Sequence, residues 1–122
     1  PKFFPVNPIK SCRLIIAASI VYPQDKDLIF KLVKGLAEAV WVNDLNIDND
    51  DIIFDILARL SDSERIIDVF NTEKPSSILL DNTMNAIKND VFGVPTFIFK
   101  NQMFWGQDRI FFLEKEIRKL NV

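Results

Sequence analysis

The chain has 122 residues, of which 48% are hydrophobic and 26% charged, and its 15 basic and 17 acidic side chains give a formal net charge of -2 at pH 7. This size and composition predict one globular domain, and the near-neutral charge argues against nucleic acids and anionic membranes as partners. The absence of histidine excludes Ser-His-Asp and Cys-His catalysis and removes the commonest zinc ligand, so no metal site is expected.

Cys12 is the single cysteine, so a disulfide within the chain is excluded, and one free thiol is typical of a reducing compartment. No apolar run approaches the ~20 residues that span a bilayer, and no basic segment leads into an apolar one at the N-terminus. We therefore expect a cytoplasmic protein without a membrane span. Residue 1 is proline rather than methionine, which fits either a removed initiator or a chain whose beginning is missing.

Apolar residues recur at helical spacing through the first 90 residues and predict five helices. Asn7 followed by Pro8 is typical of a helix start, because Asn caps free N–H groups and Pro loses no hydrogen bond at the first helical position. Tyr22-Pro23 is expected to end that helix. The first three helices are expected over residues 9–21, 25–41 and 52–60. A short fourth helix is expected after the polar caps at 61–63, and the fifth is expected from 75 to 87.

The pattern changes after residue 90. Residues 96–100 and 103–105 are rich in β-branched and aromatic side chains, which predicts two antiparallel strands around a turn at Asn101-Gln102. Asp108 is expected to cap a last helix. A lone two-stranded hairpin is marginally stable, so we expect a larger sheet, completed by a missing segment or by another chain. The apolar stripe predicted to be buried on the last helix is Ile110, Leu113, Ile117 and Leu120.

Two motifs near the C-terminus resemble a known family. They are Val-Phe-Gly-Val-Pro-Thr-Phe at 91–97 and Met-Phe-Trp-Gly-Gln-Asp-Arg at 103–109. Together they resemble the C-terminal part of the 2-hydroxychromene-2-carboxylate isomerases, relatives of kappa-class glutathione transferases within the DsbA-like thioredoxin superfamily. Asp90 stands where such relatives usually have glycine, and Asp tolerates the left-handed backbone of that turn. Shorter matches extend the resemblance to residues 4–7, 13, 41–42 and 82–83.

The resemblance implies an α/β fold, mostly helical, of the DsbA/kappa thioredoxin type. Residues 8–90 would form the helical insertion, and residues 91–122 the closing hairpin and C-terminal helix of a single, incomplete domain. The family's initial β-α-β unit carries the serine or cysteine that faces the glutathione sulfur, and it has no counterpart in these residues. No catalytic residue is therefore expected in this chain.

The resemblance also implies glutathione as cofactor. Val94, which precedes a cis proline in the superfamily, would offer its backbone N–H and C=O to the cysteinyl part of glutathione, as an added strand does. The simpler interpretation is that Pro95 only ends a strand. Gln107 and Asp108 would hold the γ-glutamyl group, and the capping role of Asp108 is compatible with this.

Asn7, Trp105 and Arg109 are the candidates for contacting an aromatic acid substrate. Each also has a simpler structural interpretation. Asn7 is expected to cap the first helix, Phe104 and Trp105 to pack in the core, and Arg109 to pair with a nearby carboxylate such as Asp108. Cys12 is expected to be a structural thiol rather than a nucleophile.

Three functions remain open on this evidence. The first is a glutathione-dependent isomerase of the 2-hydroxychromene-2-carboxylate type, incomplete or inactive as this chain alone. The second is a non-catalytic, truncated family member that folds by oligomerisation, most simply as a homodimer. The third, a DsbA-type thiol-disulfide oxidoreductase, is the weakest, because the chain lacks a Cys-x-x-Cys motif.

Overall fold

The computed structural model describes residues 1–120, which form six α-helices, one 3₁₀ turn and a two-stranded antiparallel sheet. They pack as a first unit, Pro1–Asp81, and a second unit that begins at Asn82. No helix in the described part of the chain is long and apolar enough to cross a bilayer. The elements are α1 Ile9–Val21, α2 Lys26–Trp41, α3 Asp50–Ala58, α4 Glu64–Phe70, α5 Lys74–Lys88, β1 Thr96–Phe99, β2 Gln102–Trp105, the 3₁₀ turn Gln107–Arg109 and α6 Ile110–Arg118.

The first helix begins and ends where the sequence predicts. Asn7 accepts a hydrogen bond from the Ile9 N–H at its Oδ1, 3.1 Å away, which satisfies one free donor of the first turn. Pro8 stands at the N-cap position instead of the first helical position. Asn7 therefore bonds the first helical N–H from one residue before the N-cap, and the bounds of the helix are those predicted.

Side-chain caps also start the next helices. Asp25 accepts from the Leu28 N–H at 2.9 Å and starts α2, and Asn49 accepts from the Asp51 N–H at 2.9 Å and starts α3. At α4 the contact comes from Asp62, whose Oδ1 lies 3.4 Å from the Glu64 nitrogen, while Ser63 makes no side-chain cap. Acceptors at these positions compensate the N–H groups that a helix start leaves unpaired.

The core of the first unit lies among α1 to α4. Its fully buried side chains include Leu14, Leu32, Leu57 and Ile66, one from each of these helices. Gly35 allows α2 and α3 to approach closely, because a Cβ there would lie 2.9 Å from Ile56 Cγ2. A single hydrophobic core of this kind makes four short helices stable together.

The second unit begins within α5, whose C-terminus is closed by a Schellman motif. The Val91 N–H donates to the Ala86 carbonyl and the Asp90 N–H to the Ile87 carbonyl, both at 3.0 Å. Asp90 itself has φ of +58°. The expectation that Asp occupies the left-handed position here is confirmed.

The hairpin differs from the prediction by one residue. Phe99 pairs with Gln102, so the two-residue turn is Lys100-Asn101 and Gln102 belongs to β2. Both turn residues have positive φ, +49° and +62°. This is the mirror-image turn whose twist matches that of the flanking strands.

The predicted burial of the α6 stripe is wrong. Ile110, Ile117 and Leu120 are exposed and Leu113 is half-buried. Within its unit α6 packs on β2 and the 3₁₀ turn, and a two-stranded sheet has too little surface to cover a helix face. All described residues after Asp81 are half-buried or exposed.

Candidate functional site

The candidate site is built where the chain enters and leaves the hairpin. The Val94–Pro95 peptide bond is cis, and the Pro95 carbonyl accepts a hydrogen bond from the Gly106 N–H at 2.9 Å. Thr96 pairs with Trp105 in the adjacent rung of the sheet. The hydrogen bond between Gly106 and Pro95 therefore extends the strand pairing by one residue pair. It holds the loop that contains Pro95, called the proline loop below, beside the start of the 3₁₀ turn.

The backbone of Val94 is available for a ligand. Val94 is 89% exposed, and neither its N–H nor its C=O forms a hydrogen bond within residues 1–120. The preceding turn is closed by Thr96, whose hydroxyl donates to the Gly93 carbonyl at 2.5 Å. An unpaired donor and acceptor on one residue are what a strand-like peptide ligand requires.

Two glycines permit this geometry. Gly106 has φ of +100°, a region that side chains strongly disfavour, and a Cβ there would lie 2.5 Å from Asp108 Oδ1. A Cβ on Gly93 would lie 2.7 Å from Trp105 Nε1. The proline loop and the turn after β2 therefore both depend on the absence of a side chain.

Asp108 does not cap a helix, contrary to the prediction. Gln107, Asp108 and Arg109 form a 3₁₀ turn first, so Arg109 directly precedes α6 and no side chain caps either element. The Asp108 side chain is 77% exposed, and its Oδ2 lies 3.8 Å from Arg109 Nε. The expected pairing of Arg109 with Asp108 is thereby confirmed, and the carboxylate remains accessible to a further cation.

Trp105 and Arg109 line one groove between β2 and α6, with a volume of about 530 Å³. Trp105 is 52% exposed and packs on Phe92 with ring centroids 5.0 Å apart, so the predicted core role is wrong for Trp105. Phe104, also in the groove, is half-buried. Arg109 lies 5.7 Å from the Phe112 ring centroid.

Sequence reasoning missed Phe112 and Lys115, which also line the groove. Lys115 forms no ion pair within residues 1–120, and its Nζ lies 4.5 Å from the Phe111 ring centroid. Arg109, Phe112 and Lys115 are spaced three residues apart, which on a helix places side chains on one face. That spacing is the signal that could have identified them.

Two sequence candidates belong to the first unit. Asn7 uses its Oδ1 for the Ile9 N–H, so the structure gives it a capping role. Cys12 is half-buried in α1, and burial raises the pKa of its thiol above the usual value. A raised pKa lowers the thiolate fraction near neutral pH, in agreement with the expected structural role of this thiol. No group of His, Cys, Asp and Glu suited to a metal ion occurs among the described residues.

The chain is similar to two curated proteins, both named 2-hydroxychromene-2-carboxylate isomerase. The relative from Pseudomonas sp. (strain C18) is 30% identical over 86 residues, which are 70% of this chain and 41% of the relative. The relative from Pseudomonas putida is 45% identical over 40 residues, 33% of this chain and 20% of that protein. The matched region thus spans less than half the length of these relatives, and no solved structure matches the chain.

The family model for a DSBA-like thioredoxin domain matches residues 4–118. The match includes all six helices, the cis Val94–Pro95 bond and the hairpin that follows it. It supports the predicted α/β fold of the DsbA-like thioredoxin type. The chain belongs to the DSBA-like thioredoxin domain family.

Proposed function

We propose that this chain supplies the glutathione-binding part of an isomerase that acts on 2-hydroxychromene-2-carboxylate or a related aromatic acid. The observation that carries the proposal is the hydrogen bond from Gly106 N–H to Pro95 C=O. It holds the free backbone of Val94 next to the turn that bears Gln107 and Asp108. The two curated relatives, by name, support the reaction class.

Val94 binds the cysteinyl part of glutathione through its backbone. Its free N–H donates to the peptide carbonyl and its free C=O accepts the peptide N–H, so that glutathione lies as a short added strand. Pairing of this kind depends on the main chain, and the Val94 side chain contributes little to it. The cysteinyl side chain then points away from the hairpin backbone.

Asp108 and Gln107 bind the γ-glutamyl end. The Asp108 carboxylate accepts hydrogen bonds from the γ-glutamyl ammonium, and Gln107 offers an amide to its carboxylate. Arg109, at 3.8 Å from Asp108, leaves an oxygen of that carboxylate free, because its Nε approaches Oδ2 alone. Charge-assisted hydrogen bonds are stronger than neutral ones, but solvent screens the attraction between the exposed Asp108 carboxylate and the γ-glutamyl ammonium.

The groove lined by Trp105, Arg109 and Lys115 binds the aromatic acid. The indole face stacks on the ring, and the two cations bind the carboxylate. Glutathione held by Val94, Gln107 and Asp108 would supply a thiolate. Its reversible addition to a conjugated carbon–carbon double bond of the substrate would leave a single bond that can rotate before elimination restores the double bond and the thiolate. No residue among 1–120 is assigned to thiolate activation, so this chain's residues bind and orient.

Calorimetric titration of the purified chain with glutathione tests the binding step. We expect a 1:1 complex for the wild type and about three- to fivefold weaker binding for Asp108→Ala, since exposed ion pairs contribute ~1 kcal/mol or less. Asp68→Ala is the matched control, because Asp68 is exposed on α4 and forms no ion pair in the described chain. The absence of heat with wild-type protein would remove glutathione from the proposal.

The isomerisation is tested separately by following 2-hydroxychromene-2-carboxylate by absorbance, with and without glutathione. Glutathione-dependent conversion by this chain, weakened in Trp105→Ala, supports the full proposal. Binding without conversion retains the glutathione site and assigns the chain a non-catalytic role.

A further inference from the structure

The first unit contains a groove between α2 and α3 that the proposed function does not use. Its volume is about 600 Å³, within the roughly 300–1,000 Å³ typical of small-molecule sites. Gly35 lines it, at a point where a Cβ would lie 2.9 Å from Ile56 Cγ2. The other apolar side chains that line it and are buried or half-buried are Ala39, Ile52 and Leu60. The floor of the groove can therefore hold an apolar group of a ligand.

The two helices run antiparallel, so positions on one rim of the groove can be matched to positions on the other. α2 and α3 are joined by the short connection at 42–49, and helices joined in this way pack as antiparallel neighbours. The contact between Gly35 and Ile56 sets the level at which they meet. Each residue further along α2 therefore lies opposite one residue earlier in α3, and each advances about 1.5 Å along the groove.

One end of the groove is cationic. Arg59 of α3 lies level with residue 32 of α2, between Lys31 and Lys34, and all three side chains line the groove. All are more than half exposed, and each pairs with an acidic residue of its own helix, four residues away. Like charges thus face each other across this end of the groove, and a carboxylate of a ligand would compensate them.

The other end of the groove is acidic. Asp51 and Asp55 of α3 lie level with residues 40 and 36 of α2, on either side of Glu38, and all three side chains line the groove. Among residues 1–120, no ion pair joins α2 to α3. An ammonium group of a ligand would compensate this end. The mean positions of the acidic and cationic groups are about 8–9 Å apart at 1.5 Å per residue.

This distribution of charge specifies the class of ligand. A ligand with one charged group leaves one end of the groove uncompensated, whereas a zwitterion places an opposite charge at each end. An extended peptide advances roughly 3.3–3.6 Å per residue, so two or three residues span the distance between the ends. We propose that the groove binds free di- and tripeptides with apolar side chains. The C-terminal carboxylate lies toward Lys34 and Arg59, and the N-terminal ammonium toward Glu38 and Asp55.

Calorimetric titration of the full chain with the tripeptide Ala-Leu-Ala tests the proposal. We expect a 1:1 complex. N-acetyl-Ala-Leu-Ala and Ala-Leu-Ala amide are each expected to bind about tenfold more weakly, because each lacks one of the two terminal charges. Absence of heat with the free peptide, or blocked peptides that bind as tightly as the free one, would overturn the proposal.

Arg59→Met tests whether the peptide occupies this groove. We expect about three- to fivefold weaker binding of Ala-Leu-Ala, with an unchanged far-UV circular dichroism spectrum. Arg118→Met is the matched control, because Arg118 of α6 is equally exposed, at 75%, and also pairs with an acidic residue four positions away, but does not line the groove. Equal binding losses in the two variants would contradict the assigned position of the carboxylate.

Glu38→Gln tests the orientation of the peptide. The variant is expected to weaken binding of the free peptide about three- to fivefold and to leave the weaker binding of N-acetyl-Ala-Leu-Ala unchanged, because only the free peptide carries an ammonium. An equal loss for both peptides would overturn the assigned orientation.

A last comparison separates this groove from the proposed glutathione site. Asp108→Ala is expected to weaken glutathione binding and to leave Ala-Leu-Ala binding unchanged. Tripeptide binding that is lost in Asp108→Ala and retained in Arg59→Met would assign the peptide to the hairpin and overturn the proposal. Failure of the chain to bind glutathione, with Ala-Leu-Ala still bound, would remove the glutathione site and leave the peptide groove supported.

Discussion

Replacing Gly106 by alanine should destabilise the second unit by about 1–3 kcal/mol. Gly106 combines φ of +100° with ψ of 150°, a region occupied almost only by glycine, and a residue with a side chain there costs roughly that amount. The added Cβ would also lie 2.5 Å from Asp108 Oδ1. That contact is cheaply relieved because the Asp108 side chain is largely exposed, so backbone strain accounts for most of the cost.

The measurement is urea unfolding followed by Trp105 fluorescence, in a Trp41→Phe background that removes the other tryptophan. A double-mutant cycle with Asp108→Ala separates the two causes. If backbone strain causes most of the destabilisation, Gly106→Ala lowers the free energy of unfolding by nearly the same amount with and without the Asp108 carboxylate. Gln102→Ala, at an exposed strand position, is the control and should change stability by less than ~0.5 kcal/mol. A cost for Gly106→Ala as small as that of the control would refute the strained backbone assigned to this turn.

Two further predictions concern the first unit. Arg13→Met should destabilise the chain by about 1–3 kcal/mol, because Arg13 Nη2 donates to the Phe70 carbonyl at 2.9 Å and its guanidinium lies 4.7 Å from the Phe70 ring centroid. The control is Arg59→Met, at an exposed pair with Asp55, which should lower the free energy of unfolding by less than ~0.5 kcal/mol in the same urea titration. Equal losses of stability in the two variants would contradict the role assigned to Arg13. Burial raises the pKa of the Cys12 thiol, so iodoacetamide should modify folded protein more slowly than urea-unfolded protein at pH 8, with the difference narrowing as pH rises through the folded pKa. The raised pKa of the Cys12 thiol also stabilises the folded state at pH values below the pKa of the unfolded chain, and this contribution is lost as pH rises through the folded pKa. Equal alkylation rates of folded and unfolded protein at pH 8 would show that the thiol is not protected.

Much of the local structure could be predicted from the sequence, because it depends on neighbours in the chain. The bounds of α1 follow from Asn7-Pro8 at one end and Tyr22-Pro23 at the other. The left-handed Asp90 follows from its place just after a helix. Local hydrogen bonds and backbone preferences decide such features, and both can be identified in a few consecutive residues.

Two errors in the prediction occur where the outcome depended on competing local geometries. Asp108 suits a helix cap, but the chain forms a 3₁₀ turn there and leaves its carboxylate exposed beside Arg109. The hairpin turn falls one residue earlier than expected, because Lys100 as well as Asn101 adopts positive φ. Small energy differences separate these alternatives, and composition does not resolve them.

The sequence by itself determined the family, the order of helices and hairpin, and the two motifs that form the candidate site. Only the tertiary structure decided which apolar residues are buried. Leu32 and Phe30 are both apolar residues of α2, yet one is fully buried and the other largely exposed. Helical periodicity shows that a residue lies on an apolar face, whereas burial requires another element to pack against that face. The hairpin and α6 lack such a cover within their own unit, and for that reason the stripe predicted to be core is exposed.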